Sequence, residues 1–288
     1  MPESPEVETV KLGLQKYAKG KKITDVNVID SSLLTGEVKN IIGGTIKDIK
    51  RYAKGIVIEL DNGFCLAFHI KLTGQLIFRN EANKDLEVLK PTPSTVPNKF
   101  TRVDIILNKN EHLYFQEVRG FAWMKIQPLS DIKALPFFKT LGPEPFPSPG
   151  SDTPLLTEEM FSTIVKKSNL PIKALLMEQT KIGGIGNIYA NDSCFEAKID
   201  PRRKAKELND KEIKTLFASI LKVLEKGMKY RGSSELNFVD VLGQKGEYQN
   251  HFLIYGRKNK PCVREDGGVV QKIYLVGRGT FYCETCQK

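Results

Sequence analysis

Met1-Pro2-Glu3-Ser4-Pro5-Glu6-Val7-Glu8 opens the chain and carries a structural and a chemical signal at once. The structural signal is a helix start, with Ser4 read as N-cap, Pro5 as first helical residue and the acidic side chains complementing the positive end of the helix dipole. Val7, Val10, Leu14 and Tyr17 continue at helical spacing. The chemical signal needs only removal of Met1, which turns Pro2 into a secondary amine. A terminal α-amine has a pKa of roughly 8, so an appreciable fraction is uncharged near neutrality and able to attack an electrophilic carbon. Condensed with an aldehyde, a proline amine gives an iminium that is cationic without needing a proton. A helix starting at residue 5 would place Pro2 and Glu3 at its mouth, so both readings hold together.

Outward from this start, residues 23 to about 127 have the texture of strands. Ile23–Ile29, Thr45–Ile49, Gly55–Leu60, Phe64–Ile70, Val103–Leu107 and Leu113–Gln116 are rich in β-branched and aromatic residues, with turn signals such as Asp61-Asn62-Gly63 between them. Short strands at this spacing predict an antiparallel sandwich or barrel. Prolines at 128, 136, 143, 145, 147 and 149 then mark a connector. Helical stripes follow: Met160, Phe161, Ile164 and Val165; Ile172, Leu175 and Leu176; and a long helix opening at Asn209, with Glu212 in capping-box register and Ile213, Leu216, Phe217, Ile220, Leu221 and Leu224 on one face.

The 288 residues, 40% of them apolar, can bury more than one core. Forty-four Lys and Arg against 34 Asp and Glu give a net charge of +10, which draws a protein to polyanions. Nucleic acid is the commonest such partner, although charge alone does not separate DNA from RNA or an anionic membrane. No apolar run approaches the ~20 residues of a membrane span, and the start lacks the basic-then-apolar layout of a signal peptide. The expectation is a soluble intracellular protein, in the cytoplasm or nucleoid if its source is bacterial.

Three of five cysteines lie at 262, 283 and 286. An odd count crowded at one end points to metal ligation in a reducing compartment more than to a disulfide framework. Two close cysteines at the end of a hairpin are how a zinc ribbon grips its ion. Asp266, or Glu265, stands where a fourth ligand to Cys262, Cys283 and Cys286 would be. Arg278, between Gly277 and Gly279 in the turn of this hairpin, suits bidentate phosphate recognition. Gly183-Gly184-Ile185-Gly186-Asn187 reads as a glycine-rich turn entering a helix, an anion site to which Asn187 can add a side-chain hydrogen bond. A tight interhelical corner explains that turn equally well.

Five stretches, Pro2-Glu3-Ser4-Pro5-Glu6-Val7-Glu8, His69-Ile70-Lys71-Leu72-Thr73-Gly74, Leu141-Gly142-Pro143-Glu144-Pro145, Gly184-Ile185-Gly186-Asn187-Ile188-Tyr189-Ala190 and Gly277-Arg278-Gly279-Thr280 with the terminal cysteine pair, resemble together the formamidopyrimidine-DNA glycosylase and endonuclease VIII family. They occur in the family's order and span nearly the whole chain. The resemblance implies an α+β multidomain protein: residues 1–127 an N-terminal catalytic antiparallel β-sandwich with an N-terminal helix, 128–155 a linker, 156–257 a DNA-binding helix-two-turns-helix module with a lesion-capping loop, and 258–288 a β-hairpin zinc finger.

It also implies an activity. Such enzymes flip an oxidised base out of duplex DNA, excise it and cut the strand by β,δ-elimination. Pro2 would be the nucleophile, Glu3 the acid/base, Glu6 a supporting carboxylate, and Lys54 and Arg278 catalytic-site phosphate contacts. Lys173 and Asn187 fall on DNA-binding positions, Leu72 on the wedge, where many relatives carry methionine, and Arg119 and Phe121 on the partners that fill the vacated space. The implied cofactor is one zinc per chain, and the implied partner is double-stranded DNA with oxidised bases or abasic sites, met by a monomer without membrane involvement. The stretch from Arg231 to Asn250 looks like the loop that folds over 8-oxoguanine, favouring oxidised purines; oxidised pyrimidines and noncatalytic damage binding are the alternatives. Asp192 stands where many relatives have glutamate.

Overall fold

The computed structural model describes residues 1–108 and 110–288. Its elements run α1 (Ser4–Tyr17), β1 (Ile23–Val28), β2 (Leu34–Thr35), β3 (Ile46–Tyr52), β4 (Gly55–Leu60), β5 (Phe64–His69), β6 (Gln75–Arg79), β7 (Thr101–Leu107), β8 (Glu111–Gln116), β9 (Trp123–Pro128), α2 (Pro136–Lys139), α3 (Glu158–Lys166), α4 (Ile172–Leu176), α5 (Asn187–Glu196), α6 (Asp210–Lys229), β10 (Val270–Leu275) and β11 (Arg278–Cys283). The chain forms two compact units. The first comprises Met1–Lys139, Ser148–Ser151 and Tyr230–Gln249; the second comprises Thr140–Pro147, Asp152–Lys229 and Asn250–Lys288.

In the first unit a sheet ordered β1-β7-β8-β6 and a sheet ordered β2-β9-β5-β4-β3 share one core. Period-two alternation points Val103, Ile105 and Leu107 of β7 into the same cluster as Ile56 and Ile58 of β4 and Leu66 and Phe68 of β5. Phe68 meets Phe115 edge-on across it, with ring centroids 5.6 Å apart. The pairing is antiparallel except for the short β2, which runs parallel to β9 through Leu34 and Thr35. Val7, Val10 and Leu14 of α1 join this core, as the helical spacing predicted. The cap differs. Glu3, not Ser4, is the N-cap, and Glu3 and Glu6 form a reciprocal capping box; Glu6 Oε2 accepts from the Glu3 N–H at 2.8 Å.

The domain boundaries read from sequence differ in one further respect. Tyr230–Gln249 belongs to the first unit, because Phe238 and Val241 are buried in the sandwich core and Val239 in a smaller cluster with Ile77, Val88, Val96 and Tyr114. The connector divides likewise, with residues up to Lys139 and Ser148–Ser151 on the first unit.

In the second unit α6 starts with the predicted box: Asn209 N–H donates to Glu212 Oε2 at 2.8 Å, and Glu212 N–H to Asn209 Oδ1 at 2.9 Å. Its buried face includes Ile213, Leu216, Ile220, Val223 and Leu224, whereas Phe217 and Leu221 are only half-buried. Gly227 permits the close crossing with α5, since a Cβ there would lie 2.4 Å from the Tyr189 ring. β10 and β11 form the C-terminal hairpin.

Candidate active site and nucleic-acid interface

The first unit holds the N-terminal chemistry. Pro2, Glu3 and Glu6 are all buried. The Glu6 carboxylate is fixed from two directions, its second oxygen Oε1 accepting from Ser233 N–H at 2.7 Å. Gly232, at φ +76°, makes this approach possible: a Cβ would fall 2.7 Å from Glu6 Cγ and Oε1. One carboxylate thus ties the mouth of α1 to the Tyr230–Gln249 segment.

Lys54 occupies, with Ala53 at φ +52°, the two-residue turn between β3 and β4, and is buried. Arg51 anchors that turn, donating from its guanidinium to Ala53 O at 3.1 Å and to Glu8 Oε2 at 2.8 Å. Burial works to raise the Glu8 carboxyl, but Arg51 and Lys11 outweigh it and hold it below the usual carboxylate range. This ion-pair group, with Arg51 and Lys11 buried and Glu8 half-buried, was missed by the sequence reading and joins α1 to the Lys54 hairpin.

Two loops carry Leu72, Arg119 and Phe121. Leu72 is half-buried beside Lys71, at φ +48°, whose N–H donates to His69 Nδ1 at 3.0 Å. Arg119 and Phe121 are exposed, the guanidinium 5.1 Å from the Phe121 ring centroid.

Lys173, Asn187 and Arg278 belong to the second unit. Gly186 is the N-cap of α5 and Asn187 its first residue, with Gly184 at φ +91° making the preceding turn. Lys173 is buried, and its ammonium donates to Asn187 Oδ1 at 2.6 Å, Thr280 Oγ1 at 2.8 Å and Gly279 O at 3.1 Å. It therefore joins α4, the start of α5 and β11, and orients the Asn187 amide. Arg278 is exposed and is the first residue of β11 rather than part of the turn; Val276 and Gly277, at φ +47° and +69°, make the turn. Arg278, Leu275 and Val276 border a recess of about 230 Å³ with Lys173, Met177 and Glu178.

Cys262, Asp266, Cys283 and Cys286 offer ligand atoms all within 4.8 Å of one another. Four donors about 2.3 Å from a tetrahedral ion stand about 3.8 Å apart; here Cys262 and Cys286 Sγ are 3.9 Å apart, and Asp266 Oδ2 lies 3.3 Å from Cys262 Sγ. The donor set fits a metal ion, with Asp266 rather than Glu265 as fourth member. Glu265 takes a left-handed conformation, φ +55°. Gly268 presses against the cluster, where a Cβ would meet Cys283 Sγ at 2.4 Å and Asp266 Oδ1 at 2.8 Å. Arg264, not singled out in the sequence, lies over the Phe195 ring at 3.9 Å and donates to Phe195 O at 2.8 Å and to Cys286 Sγ at 3.2 Å. The other thiols are buried; burial pushes Cys65 and Cys194 up to about 12, which keeps them protonated and inert.

The profile of the "Formamidopyrimidine-DNA glycosylase N-terminal domain" matches residues 1–124, and that of the "Formamidopyrimidine-DNA glycosylase H2TH domain" matches residues 141–238. The chain belongs to the formamidopyrimidine-DNA glycosylase family. It is 35% identical to the formamidopyrimidine-DNA glycosylase of Pelotomaculum thermopropionicum, covering all of this chain and 99% of the relative. Identity to the Listeria monocytogenes serovar 1/2a enzyme is 34%, with full coverage of both. Among solved structures, a Lactococcus lactis Fpg complex with abasic-site DNA superposes with a TM-score of 0.84 at 29% identity and 99% coverage of both chains. A point mutant of that protein bound to Fapy-dG DNA gives 0.85 at 30% identity and full coverage. Among the described residues no helix is long and apolar enough to cross a membrane.

Proposed function

We propose that this family member is a bifunctional DNA glycosylase and abasic-site lyase of base-excision repair that removes oxidised purines from duplex DNA. The observation that carries the reading is the arrangement at the mouth of α1, where Pro2 is buried and the Glu3 and Glu6 beside it are fixed by a reciprocal capping box and by Ser233 on Glu6. With Met1 removed, the Pro2 nitrogen attacks C1′ while Glu3 passes a proton to the opening deoxyribose and the base departs. The resulting iminium acidifies the C2′ proton. Its removal expels the 3′-phosphate, and a second elimination expels the 5′-phosphate, leaving a one-nucleoside gap with phosphate at both ends.

Lys54, Arg278 and Asn187 are assigned to backbone phosphates, which position the duplex without selecting the base. Lys173, with its ammonium engaged by three protein acceptors, is assigned to ordering Asn187 and β11. Leu72, Arg119 and Phe121 are assigned to the space left by the everted nucleotide, offsetting part of an unstacking cost of a few kcal/mol. Anchorage of Gly232 and Ser233 on Glu6 supports a lesion-capping role for the segment that follows, and hence purines over pyrimidines. One zinc per chain, held by Cys262, Asp266, Cys283 and Cys286, would supply structure to the hairpin and no step of the reaction; Arg264 would offset the excess negative charge of its ligands.

Borohydride reduction tests the central claim. Mature protein should become covalently attached to abasic DNA, while Pro2→Gly should trap poorly at best; equal trapping by both, or full activity with Met1 retained, would overturn the mechanism. Excision of 8-oxoguanine faster than thymine glycol from matched duplexes is expected; the reverse order would assign the chain to oxidised pyrimidines.

A further inference from the structure

We propose that Glu117 is a positioning residue that locks the loops bearing Leu72, Arg119 and Phe121 into one preformed wedge, a proposal that rests on the void-filling assignment above. Glu117 is completely buried. Its Oε1 accepts from the hydroxyl of Thr73, 44 residues away in sequence, and from the Arg119 N–H at 2.7 Å; its Oε2 accepts from the Ala122 N–H at 3.0 Å. The Thr73 hydroxyl belongs to the Leu72 loop, whereas the two amides bracket Gly120 and Phe121. A single carboxylate therefore receives donors from both loops.

The loops also touch where nothing larger than hydrogen fits. A Cβ on Gly74 would lie 2.6 Å from Ile70 O and 2.8 Å from Ala122 Cβ. Thr73, Gly74, Glu117 and Ala122 at this junction are buried, whereas Arg119 and Phe121 project into solvent, Phe121 with 55% of its surface exposed. An exposed aromatic on a mobile loop would lose conformational entropy on entering a base stack. Held by Glu117, the loop has lost that freedom before DNA arrives, so the gain appears in the flipping step.

The chemistry of the junction selects the variants. Thr73→Val keeps the shape and removes the donor; Thr73→Ser restores it. Glu117→Gln turns one acceptor into an N–H facing another N–H, leaving buried groups unpaired. Flipping is read by stopped-flow fluorescence of 2-aminopurine placed beside 8-oxoguanine in a duplex, and the lyase step by cleavage of a single-stranded abasic oligonucleotide, which has no orphaned base to accommodate.

Thr73→Val and Glu117→Gln should slow the fluorescence phase about tenfold, with single-strand cleavage unchanged and Thr73→Ser near wild type. The proposal fails if both slow variants match wild type while Phe121→Ala slows flipping. It fails also if Thr73→Ser is as slow as Thr73→Val, which would assign the effect to packing, or if single-strand cleavage falls in step with flipping. If Phe121→Ala and Leu72→Ala leave flipping untouched as well, the void-filling assignment itself falls. Should Glu117→Gln not fold, the two Thr73 variants decide.

Discussion

Replacing Asp192 by alanine should destabilise the second unit by about 3–5 kcal/mol, a large fraction of the roughly 5–15 kcal/mol that holds a domain folded. Asp192 is completely buried on α5, and its oxygens accept from three consecutive backbone amides: Leu253 at 3.2 Å, Ile254 at 3.1 Å and Tyr255 at 3.1 Å. A buried N–H left without an acceptor costs about 1–3 kcal/mol. Three such groups sum to about 3 kcal/mol at the lower bound, and water entering the vacated volume keeps the total towards that end. The damage should reach the Cys262–Asp266–Cys283–Cys286 cluster proposed to hold metal, because Ile254 shares a core with Phe195, Cys262 and Cys283. Urea denaturation followed by circular dichroism, with metal release recorded in parallel, measures both effects. Asp192→Asn, which keeps one acceptor oxygen, should fall between wild type and alanine. A loss below about 1 kcal/mol for Asp192→Ala, with the metal retained, would refute the reasoning: the three amides would then have other acceptors.

Two further outcomes follow from the same geometry. His69 is buried and edge-on to Phe137 at 4.7 Å; burial, then the charges of Lys71 and Lys54, push its pKa down to about 3. The unfolded chain takes up the proton near pH 6.5 and the folded one does not, so this contribution to stability is complete above pH 6.5 and is lost as pH falls towards 3. Urea melts between pH 6.5 and 5 should lose more stability per pH unit in wild type than in His69→Gln, the excess rising from about 0.7 to about 1.4 kcal/mol per unit as the unfolded imidazole fills with protons; equal slopes would count against a neutral buried imidazole. Gly268→Ala should abolish metal uptake by the cysteine cluster, since its Cβ would sit 2.4 Å from Cys283 Sγ, whereas Gly267→Ala, with nothing within 4 Å of the added atom, should cost only the left-handed strain of its φ of +75°, about 1–2 kcal/mol, and still take up metal; elemental analysis finding equal metal in Gly268→Ala and wild type would mean that the cluster relaxes around the methyl group.

What the sequence made legible was local. The Asn209–Glu212 box and the apolar stripe of α6 lie within a few turns of one helix, and the strand runs of the sandwich carry their own alternation. Even at short range the reading erred where a side chain had two possible partners: Ser4 is the commoner N-cap residue, yet the Glu3–Glu6 pair satisfies both the cap and the incoming chain. Spacing likewise could not choose between Glu265 and Asp266, because the choice turns on the left-handed backbone at Glu265. β6 and β9 are hard to read as strands, since Gln75, Arg79 and Lys125 dilute their pattern.

Apart from Arg264, the anchoring roles that escaped the sequence share one chemistry. Glu117, Asp192, Glu8 and Glu6 are carboxylates that receive donors from chain segments far away, across 44 residues for Glu117 and Thr73, 62 for Asp192 and Ile254, and 227 for Glu6 and Ser233. An acidic side chain read in sequence looks like surface, because an unpaired charge is not buried. Full burial, as at Glu117, Asp192 and Glu6, or half-burial, as at Glu8, becomes favourable only when the fold delivers the donors, so the signal is in the tertiary structure and in neither segment alone. The residues proposed to meet DNA, such as Arg119, Phe121 and Arg278, are by contrast exposed and lie in short recognisable motifs. Short motifs can therefore nominate side chains for contact with a substrate, while the carboxylates that hold the loops in place become visible only in the fold.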